Sequence, residues 1–135
     1  MLDTVMLIDD DDVTLLICSL RLKKSHFCKE LLTYENADDA LLYFEKQLSL
    51  PENERKIPEL IFLDLNMPYM NGWDFLEELD KKYPTFITQT QIVILSSSVN
   101  PDDAERASFD PLIMGFISKP LNEEGLKKIE KLLEN

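Results

Sequence analysis

The chain has 135 residues, of which 44% are hydrophobic and 30% are charged, and this size and composition fit one globular domain. Its 26 acidic and 14 basic residues give a formal net charge of -12, which argues against direct nucleic-acid binding because such surfaces are basic. No apolar run approaches the length of a membrane span and no signal peptide is evident, so we expect a cytoplasmic protein that acts through protein partners.

Five apolar strands alternate with five helical patterns along the chain. Strands are predicted at Thr4–Ile8, Glu30–Tyr34, Leu60–Leu63, Gln91–Leu95 and Gly115–Ile117. Helices are predicted at Val13–Lys24, Ala37–Gln47, Trp73–Lys82, Pro101–Ala107 and Asn122–Leu133. This alternation is typical of a parallel sheet with helices on both faces and right-handed crossover connections.

Local signals mark several boundaries between these elements. Asn36 is a good N-cap for the second helix, and Asn100 followed by Pro101 is a typical start for the fourth. Lys119 precedes Pro120 at the end of the last strand, so their peptide bond is a candidate for the cis form.

Other patterns predict which segments face the core and which face solvent. In the first helix, we expect Leu16, Ile17 and Leu20 to point partly inward. Pro84 is expected to end the third helix, because proline cannot continue the hydrogen-bond ladder. The segment Leu48–Pro58 is polar and bounded by prolines, which predicts a long surface loop.

Four of the predicted strands end at side chains suited to a metal ion and a phosphoryl group. In open α/β sheets, ligands bind outside the carboxyl ends of the strands. Carboxylates suit hard cations such as Mg²⁺, and lysine carries a compact positive charge that suits a phosphoryl oxygen. The residues at these strand ends are Asp9, Asp10, Asp64, Ser96 and Lys119. The main-chain carbonyl of Asn66, two residues after Asp64, lies close enough in sequence to join them.

Each of these residues also has a simpler interpretation. The run Asp9–Asp12 could be a solvated helix start, where acids interact favourably with the helix dipole. We adopt that interpretation for Asp11 and Asp12, with Asp12 as a candidate cap, but not for the first two acids. Ser96 could simply begin a serine-rich loop, and Lys119 could be an ordinary exposed lysine.

Taken in order, these motifs resemble the receiver domain of two-component response regulators, the CheY-like family. The resemblance covers essentially the whole chain. It implies a (βα)5 flavodoxin-like, doubly wound parallel sheet of order 2-1-3-4-5. Because the sequence stops soon after the fifth predicted helix, we expect a single receiver domain over residues 1–135 with no output domain. The matching segments are Leu7–Asp11, Ile61–Pro68 followed by Gly72, Val93–Ser96 and Gly115–Pro120.

The resemblance also implies a role for each acidic site residue. Asp64 matches the aspartate that accepts a phosphoryl group from a histidine kinase or a histidine phosphotransfer protein. Asp10 matches the direct Mg²⁺ ligand, Asp9 a ligand that acts through water, and the main chain of Asn66 the third protein ligand. The phosphoryl group is then relayed or signals to a downstream protein target.

Further implied roles concern the response to phosphorylation. Ser96 matches the switch hydroxyl, Lys119 the lysine that contacts the phosphate, and Phe116 the aromatic switch position, where tyrosine is frequent. Their movement would change the face made by the fourth helix, fifth strand and fifth helix, which could also serve for dimerisation. Asn66 and Ser98 occupy positions that tune dephosphorylation.

Two other functions compete with this interpretation. Asp10 begins an Asp-x-Asp-x-Thr sequence like the nucleophile motif of haloacid-dehalogenase-type phosphatases, with Ser96 and Lys119 as the later motifs. That alternative leaves Asp64 and its loop unexplained, and the chain is short for that fold. The other alternative is a receiver-like interaction module that is never phosphorylated, and the intact acidic set argues against it.

Overall fold

The computed structural model describes residues 1–97 and 100–134, so Ser98 lies outside the described residues. Within those residues, no helix is long and apolar enough to cross a membrane. The strands are β1 (Leu2–Ile8), β2 (Cys28–Tyr34), β3 (Leu60–Asp64), β4 (Gln91–Ser96) and β5 (Ile113–Ser118). The helices are α1 (Asp12–Lys24), α2 (Ala37–Leu48), α3 (Gly72–Lys82), α4 (Pro84–Ile87), α5 (Pro101–Phe109) and α6 (Glu123–Glu134).

The five strands form one parallel sheet in the order β2-β1-β3-β4-β5, which confirms the expected fold. Strand β3 is central, and all five of its residues are buried, as expected for a strand covered on both faces. The register aligns Ile8 with Leu63 and Asp64 with Leu95. The carboxyl ends of β1, β3 and β4 therefore lie side by side.

The core has two layers, one on each face of the sheet. Side chains alternate along β3, so that Ile61 and Leu63 face one layer while Leu60 and Phe62 face the other. The first layer is covered by α2, α3 and α4, and it also includes Ala107 of α5. The second layer is covered by α1 and α6. This packing fixes the sheet edge at which the predicted site residues meet.

The predicted helix caps are confirmed with one correction. The Asn36 side chain accepts a hydrogen bond from the Asp39 N–H, and Asn100 caps α5 in the same way. Helix α1 is capped by Asp11, whose carboxylate accepts from the Val13 N–H at 3.1 Å, whereas Asp12 is the first helical residue. The cap is therefore one residue earlier than the candidate that the sequence suggested.

The expected orientation of α1 is wrong. Leu16, Ile17 and Leu20 point outward and, with Val13, are between 44% and 60% exposed. We call these four residues the α1 apolar stripe. Because α1 carries apolar side chains around most of its circumference, periodicity alone could not identify its inner face. The residues that face the sheet are Leu15, Cys18 and Leu22.

The predicted loop at Leu48–Pro58 contains one turn of 3₁₀ helix, Glu52–Glu54. Arg55 orders this segment, because its Nε and Nη2 donate to the carbonyls of Leu50 and Leu48 at 3.0 and 3.1 Å. Helix α3 ends before Pro84, as expected, but Pro84 begins the short helix α4, which the sequence did not predict. The fourth and fifth predicted helices therefore correspond to α5 and α6.

Candidate metal and phosphate site

The predicted site residues from four strands meet at one edge of the sheet. Asp64 is the last residue of β3 and is only 3% exposed, while Asp9 follows β1 and is fully buried. Ser96 ends β4 and is also buried, whereas Asp10 is exposed. Lys119 follows β5, and its main-chain N–H donates to the Ser96 carbonyl at 2.9 Å. The parallel register of the strands is what brings these residues together.

Lys119 bridges the two buried carboxylates. Its Nζ lies 2.5 Å from Asp9 Oδ2 and 3.3 Å from Asp64 Oδ1. The Lys119–Pro120 peptide bond is cis, as the sequence suggested it could be. Removal of Lys119 from water acts to lower the pKa of its amine, but the hydrogen bond to Asp9 and the charge of Asp64 outweigh this effect and raise the pKa overall. The amine is therefore held in its charged form.

The carboxyl of Asp64 is easier to protonate than an ordinary aspartate. Burial, followed by the nearby charge of Asp9, raises its pKa from 3.8 to about 6. The charge of Lys119 and the Asn66 N–H, which lies 3.3 Å from Asp64 Oδ1, act in the opposite direction. A bound cation would add to these opposing effects, so protonation and metal binding compete at this carboxylate.

Three carboxylates are placed to share one cation. Asp9, Asp10 and Asp64 each offer an oxygen atom, and these atoms all lie within 4.8 Å of one another. Three carboxylates and the single ammonium of Lys119 leave an excess of two negative charges when all are ionised. Such an oxygen-rich, doubly negative group fits Mg²⁺. Asn66 donates its N–H to Asp64, whereas the role of its carbonyl stays a prediction.

The loop after Asp64 is folded tightly against its strand. The Gly72 N–H donates to the Leu65 carbonyl at 3.0 Å, and a Cβ on Gly72 would lie 2.6 Å from the Asp64 carbonyl oxygen. Tyr69 has a φ of 69°, in the left-handed region that non-glycine residues rarely adopt, and its side chain is fully exposed. No sequence pattern predicted this backbone conformation at Tyr69, because left-handed residues are usually Gly or Asn.

A pocket of about 240 Å³ lies beside Lys119, between α1 and the segments after β4 and β5. The α1 apolar stripe reaches this pocket through Ile17. The sequence did not reveal this connection, because the expected orientation of α1 placed Ile17 partly inward. The pocket is lined by Thr14, Ile17, Cys18, Ser97, Lys119 and Pro120.

The two predicted switch residues lie on adjacent strands. Ser96 pairs with Ser118 in the register of β4 and β5, and Ile94 pairs with Phe116. Phe116 is partly buried and packs against the core layer that includes Ala107 of α5. The structure therefore places both residues on neighbouring strands, with Phe116 against the layer that α5 joins, whereas their role in switching stays a prediction.

Comparison with known families decides which class of protein carries this site. The model of the response regulator receiver domain matches residues 5–131. The chain belongs to the response regulator receiver family. Receiver domains serve phosphorylation-based signalling in two-component systems, in which they pair with histidine kinases. Family membership favours this interpretation over the phosphatase suggested by the sequence around Asp10.

Several receivers resemble the chain in sequence. The putative two-component response regulator ARR13 of Arabidopsis thaliana is 33% identical over 125 residues, which is 93% of this chain and 20% of that protein. Response regulator Rcp1 of Synechocystis is 28% identical over 131 residues, which is 97% of this chain and 86% of Rcp1. The chain thus spans about a fifth of the plant regulator but most of the cyanobacterial one.

Solved receiver structures share the whole fold. A two-component response regulator from Cytophaga hutchinsonii superimposes with a TM-score of 0.87 at 25% identity, covering 99% of this chain and 98% of that one. The phosphorylated cyanobacterial phytochrome response regulator RcpA matches with a TM-score of 0.72 at 28% identity, covering 99% of this chain and 92% of RcpA. The similarity extends across the entire sheet and its helices.

Proposed function

We propose that this receiver accepts a phosphoryl group on Asp64 from the phosphohistidine of a kinase or a phosphotransfer protein. One observation carries the assignment. Asp64 is a buried carboxylate at the end of the central strand, with the Lys119 ammonium 3.3 Å from its Oδ1 and two further carboxylates beside it. Asp10 is less suited to this role, because it is exposed and lies outside the ion pairs of Lys119.

Mg²⁺ is the cation that fits this site. Asp9, Asp10 and Asp64 would hold it together with the main-chain carbonyl of Asn66. When bound, Mg²⁺ would supply positive charge that stabilises the transferring phosphoryl oxygens. Asp9 also accepts the Asp11 N–H on its Oδ1 at 2.9 Å, which fixes the orientation of the Asp9 carboxylate.

The chain's own residues perform the transfer. An ionised Asp64 oxygen attacks the phosphorus atom, the bond from phosphorus to the donor imidazole nitrogen breaks, and the imidazole departs. The product is an acyl phosphate on Asp64. Lys119 is already within reach of the Asp64 oxygen, and its charge favours the phosphoryl oxygens. Ser96, at the end of the neighbouring strand, is the hydroxyl that would donate to the new group.

The donor must bring its imidazole to Asp64, and the α1 apolar stripe is an exposed apolar surface that reaches the pocket beside Lys119. We therefore assign this side of the molecule to the donor. The face formed by α5, β5 and α6 is left for the downstream protein target or for a second copy of the chain. In this scheme the chain is a cytoplasmic, phospho-accepting signalling domain rather than an enzyme with a separate substrate.

Intact-mass spectrometry after incubation with acetyl phosphate tests the assignment. We expect a phosphoryl adduct on the wild-type chain that requires Mg²⁺ and is lost in Asp64→Asn. An adduct that persists in Asp64→Asn but is lost in Asp10→Asn would support the phosphatase-type nucleophile instead. A wild-type chain that binds Mg²⁺ but is phosphorylated neither by acetyl phosphate nor by phosphoramidate would be a receiver-like interaction module.

A further inference from the structure

Trp73 lies where the loop after Asp64 turns into α3. The preceding residue, Gly72, packs against the Asp64 carbonyl so closely that no side chain would fit. Asn71 and Asp74 form a reciprocal capping box at the same turn. The main chain around Trp73 is therefore rigidly connected to the strand end that carries Asp64.

The Trp73 side chain reaches across to α5 through two contacts. Its indole Nε1–H donates to Asp103 Oδ1 at 3.1 Å. The Arg106 guanidinium lies over the indole ring, with its central carbon 4.2 Å from the ring centroid. Arg106 also pairs with Glu77 of α3 at 3.5 Å. Asp103 and Arg106 are three residues apart, so they present one face of α5 to the same indole.

Helix α5 has little other anchorage in the core. Of its nine residues, all of them described, only Ala107 is buried. The ion pair that Arg106 makes with α3 is partly exposed, with half of the Arg106 side chain accessible to solvent. Contacts of this kind open at a lower cost in free energy than core packing does. Trp73 therefore makes a substantial share of the contact between α3 and α5.

The two helices follow different strand ends of the site. Helix α3 is connected to Asp64, whereas α5 comes after Ser96 at the end of the adjacent strand. A phosphoryl group on Asp64 that draws the Ser96 hydroxyl toward it would displace the end of β4, the strand that precedes α5 in the chain. Because Trp73 stays with Asp64, this displacement would be felt at the contact between the indole and α5.

We propose that Trp73, Asp103 and Arg106 form a latch that is closed while Asp64 is a free carboxylate and opens when Asp64 is phosphorylated. This inference rests on the proposed function. By linkage, the latch opposes phosphorylation by the same factor by which phosphorylation opens it. Weakening the latch should therefore raise the affinity of the site for a phosphoryl group or its analogue.

Binding of beryllofluoride with Mg²⁺ tests the latch, with ¹⁹F NMR to measure binding and the emission of the single tryptophan to report on the latch. We expect Asp103→Ala to bind roughly fivefold more tightly than the wild type, the effect of losing about one hydrogen bond. Its emission before loading should already resemble that of the loaded wild type. Asp102→Ala is the matched control, because it removes an acid from the same first turn that does not contact Trp73.

Two further variants separate the latch from general destabilisation of α5. Asp103→Asn keeps an oxygen acceptor for the indole and should restore an affinity close to that of the wild type. Arg106→Met removes the cation from the ring and should raise the affinity, as Asp103→Ala does. If Asp103→Ala proves too unstable to measure, Arg106→Met alone shows whether loss of the latch raises the affinity for beryllofluoride.

Different results would contradict the latch and the proposed function. An unchanged or weaker affinity in Asp103→Ala and Arg106→Met would overturn the latch. Binding to the wild type without any change in Trp73 emission would also overturn it, while leaving the proposed function in place. A wild-type chain that shows no bound beryllofluoride and no phosphoryl adduct would overturn the proposed function itself.

Discussion

Gly72 packs directly against the main chain of Asp64, because a Cβ at residue 72 would come within 2.6 Å of the Asp64 carbonyl oxygen. The residue that carries the chemistry and the start of α3 are thus held together by a contact that only glycine permits. This contact aligns the loop after Asp64 with the site and carries Trp73 toward α5.

Gly72→Ala should destabilise the fold, because the backbone atoms that the new Cβ would meet cannot move aside independently. We expect a loss of about 1–3 kcal/mol in the free energy of unfolding, measured with urea. Gly115→Ala is the control, since a Cβ there would lie 3.5 Å from the side chains of Ile129 and Leu132, an ordinary contact distance. Equal stabilities of the two variants would contradict the argument.

Asp64→Asn should stabilise the metal-free protein at pH 8. The pKa of Asp64 is raised to about 6, so the folded state retains a proton that the unfolded chain loses near pH 4. The contribution of Asp64 to stability is therefore fully present below pH 4 and is lost as the pH rises through 6. Asparagine does not ionise, so the free energy of unfolding of the variant at pH 8 should exceed that of the wild type by roughly 1–3 kcal/mol.

Urea unfolding between pH 4 and pH 8, in the presence of a chelator, measures this difference between Asp64→Asn and the wild type. The difference should shrink toward zero at pH 4. If Asp64→Asn were less stable than the wild type at pH 8, the ionised Asp64 carboxylate could not be destabilising and the prediction would be wrong. Added Mg²⁺ should stabilise the wild type more than the variant, because the cation binds to the ionised carboxylate.

Lys119→Met should leave Asp9 and Asp64 buried without their shared cation. We expect the free energy of unfolding without Mg²⁺ to fall by about 3 kcal/mol, the usual order for breaking a buried pair by removing one partner. Mg²⁺ should restore part of the loss, because it neutralises the same carboxylates. Lys128→Met, at an exposed position of α6, is the control and should change little. Equal effects of the two changes would exclude a structural role for the bridge.

Tyr43 should ionise much later than an ordinary tyrosine. Burial, then the charges of Glu30 and Tyr34, raise its pKa to about 12, and its hydroxyl donates to the Lys56 carbonyl at 2.6 Å. Because the folded state retains the phenol proton, stability should fall as the pH rises from 10 toward 12. Tyr43→Phe should lose about 1 kcal/mol at neutral pH but show a smaller fall in alkali.

Absorbance titration of the phenolate checks the assignment of this late ionisation to Tyr43. The step near pH 12 should disappear in Tyr43→Phe and persist in Tyr69→Phe, since Tyr69 is fully exposed. A late step that remains after Tyr43→Phe would assign the raised pKa to a different tyrosine.

Much of the fold could be predicted because its signals are local. Apolar runs that alternate with helical patterns and caps such as Asn36 depend on neighbours in the chain, and they predicted the strands and five of the six helices. The sheet order was predicted only through the resemblance to receiver domains. Helix α4 was missed because four residues after a proline resemble a turn. Residue-level roles at the site, including that of Asp64, stay predictions, although the structure brings Asp9, Asp64 and Lys119 into contact.

The sequence by itself determined that acids, a hydroxyl and a lysine stand at the ends of buried strands, because the alternation of strands and helices predicts parallel strands whose carboxyl ends share one edge of the sheet. The tertiary structure decided which side of each helix meets its neighbours. Leu16 and Leu20 face outward because Leu15, Cys18 and Leu22 fill the space above the sheet. The contact between Trp73 and Asp103 joins residues 30 positions apart, and no local pattern encodes such a distance.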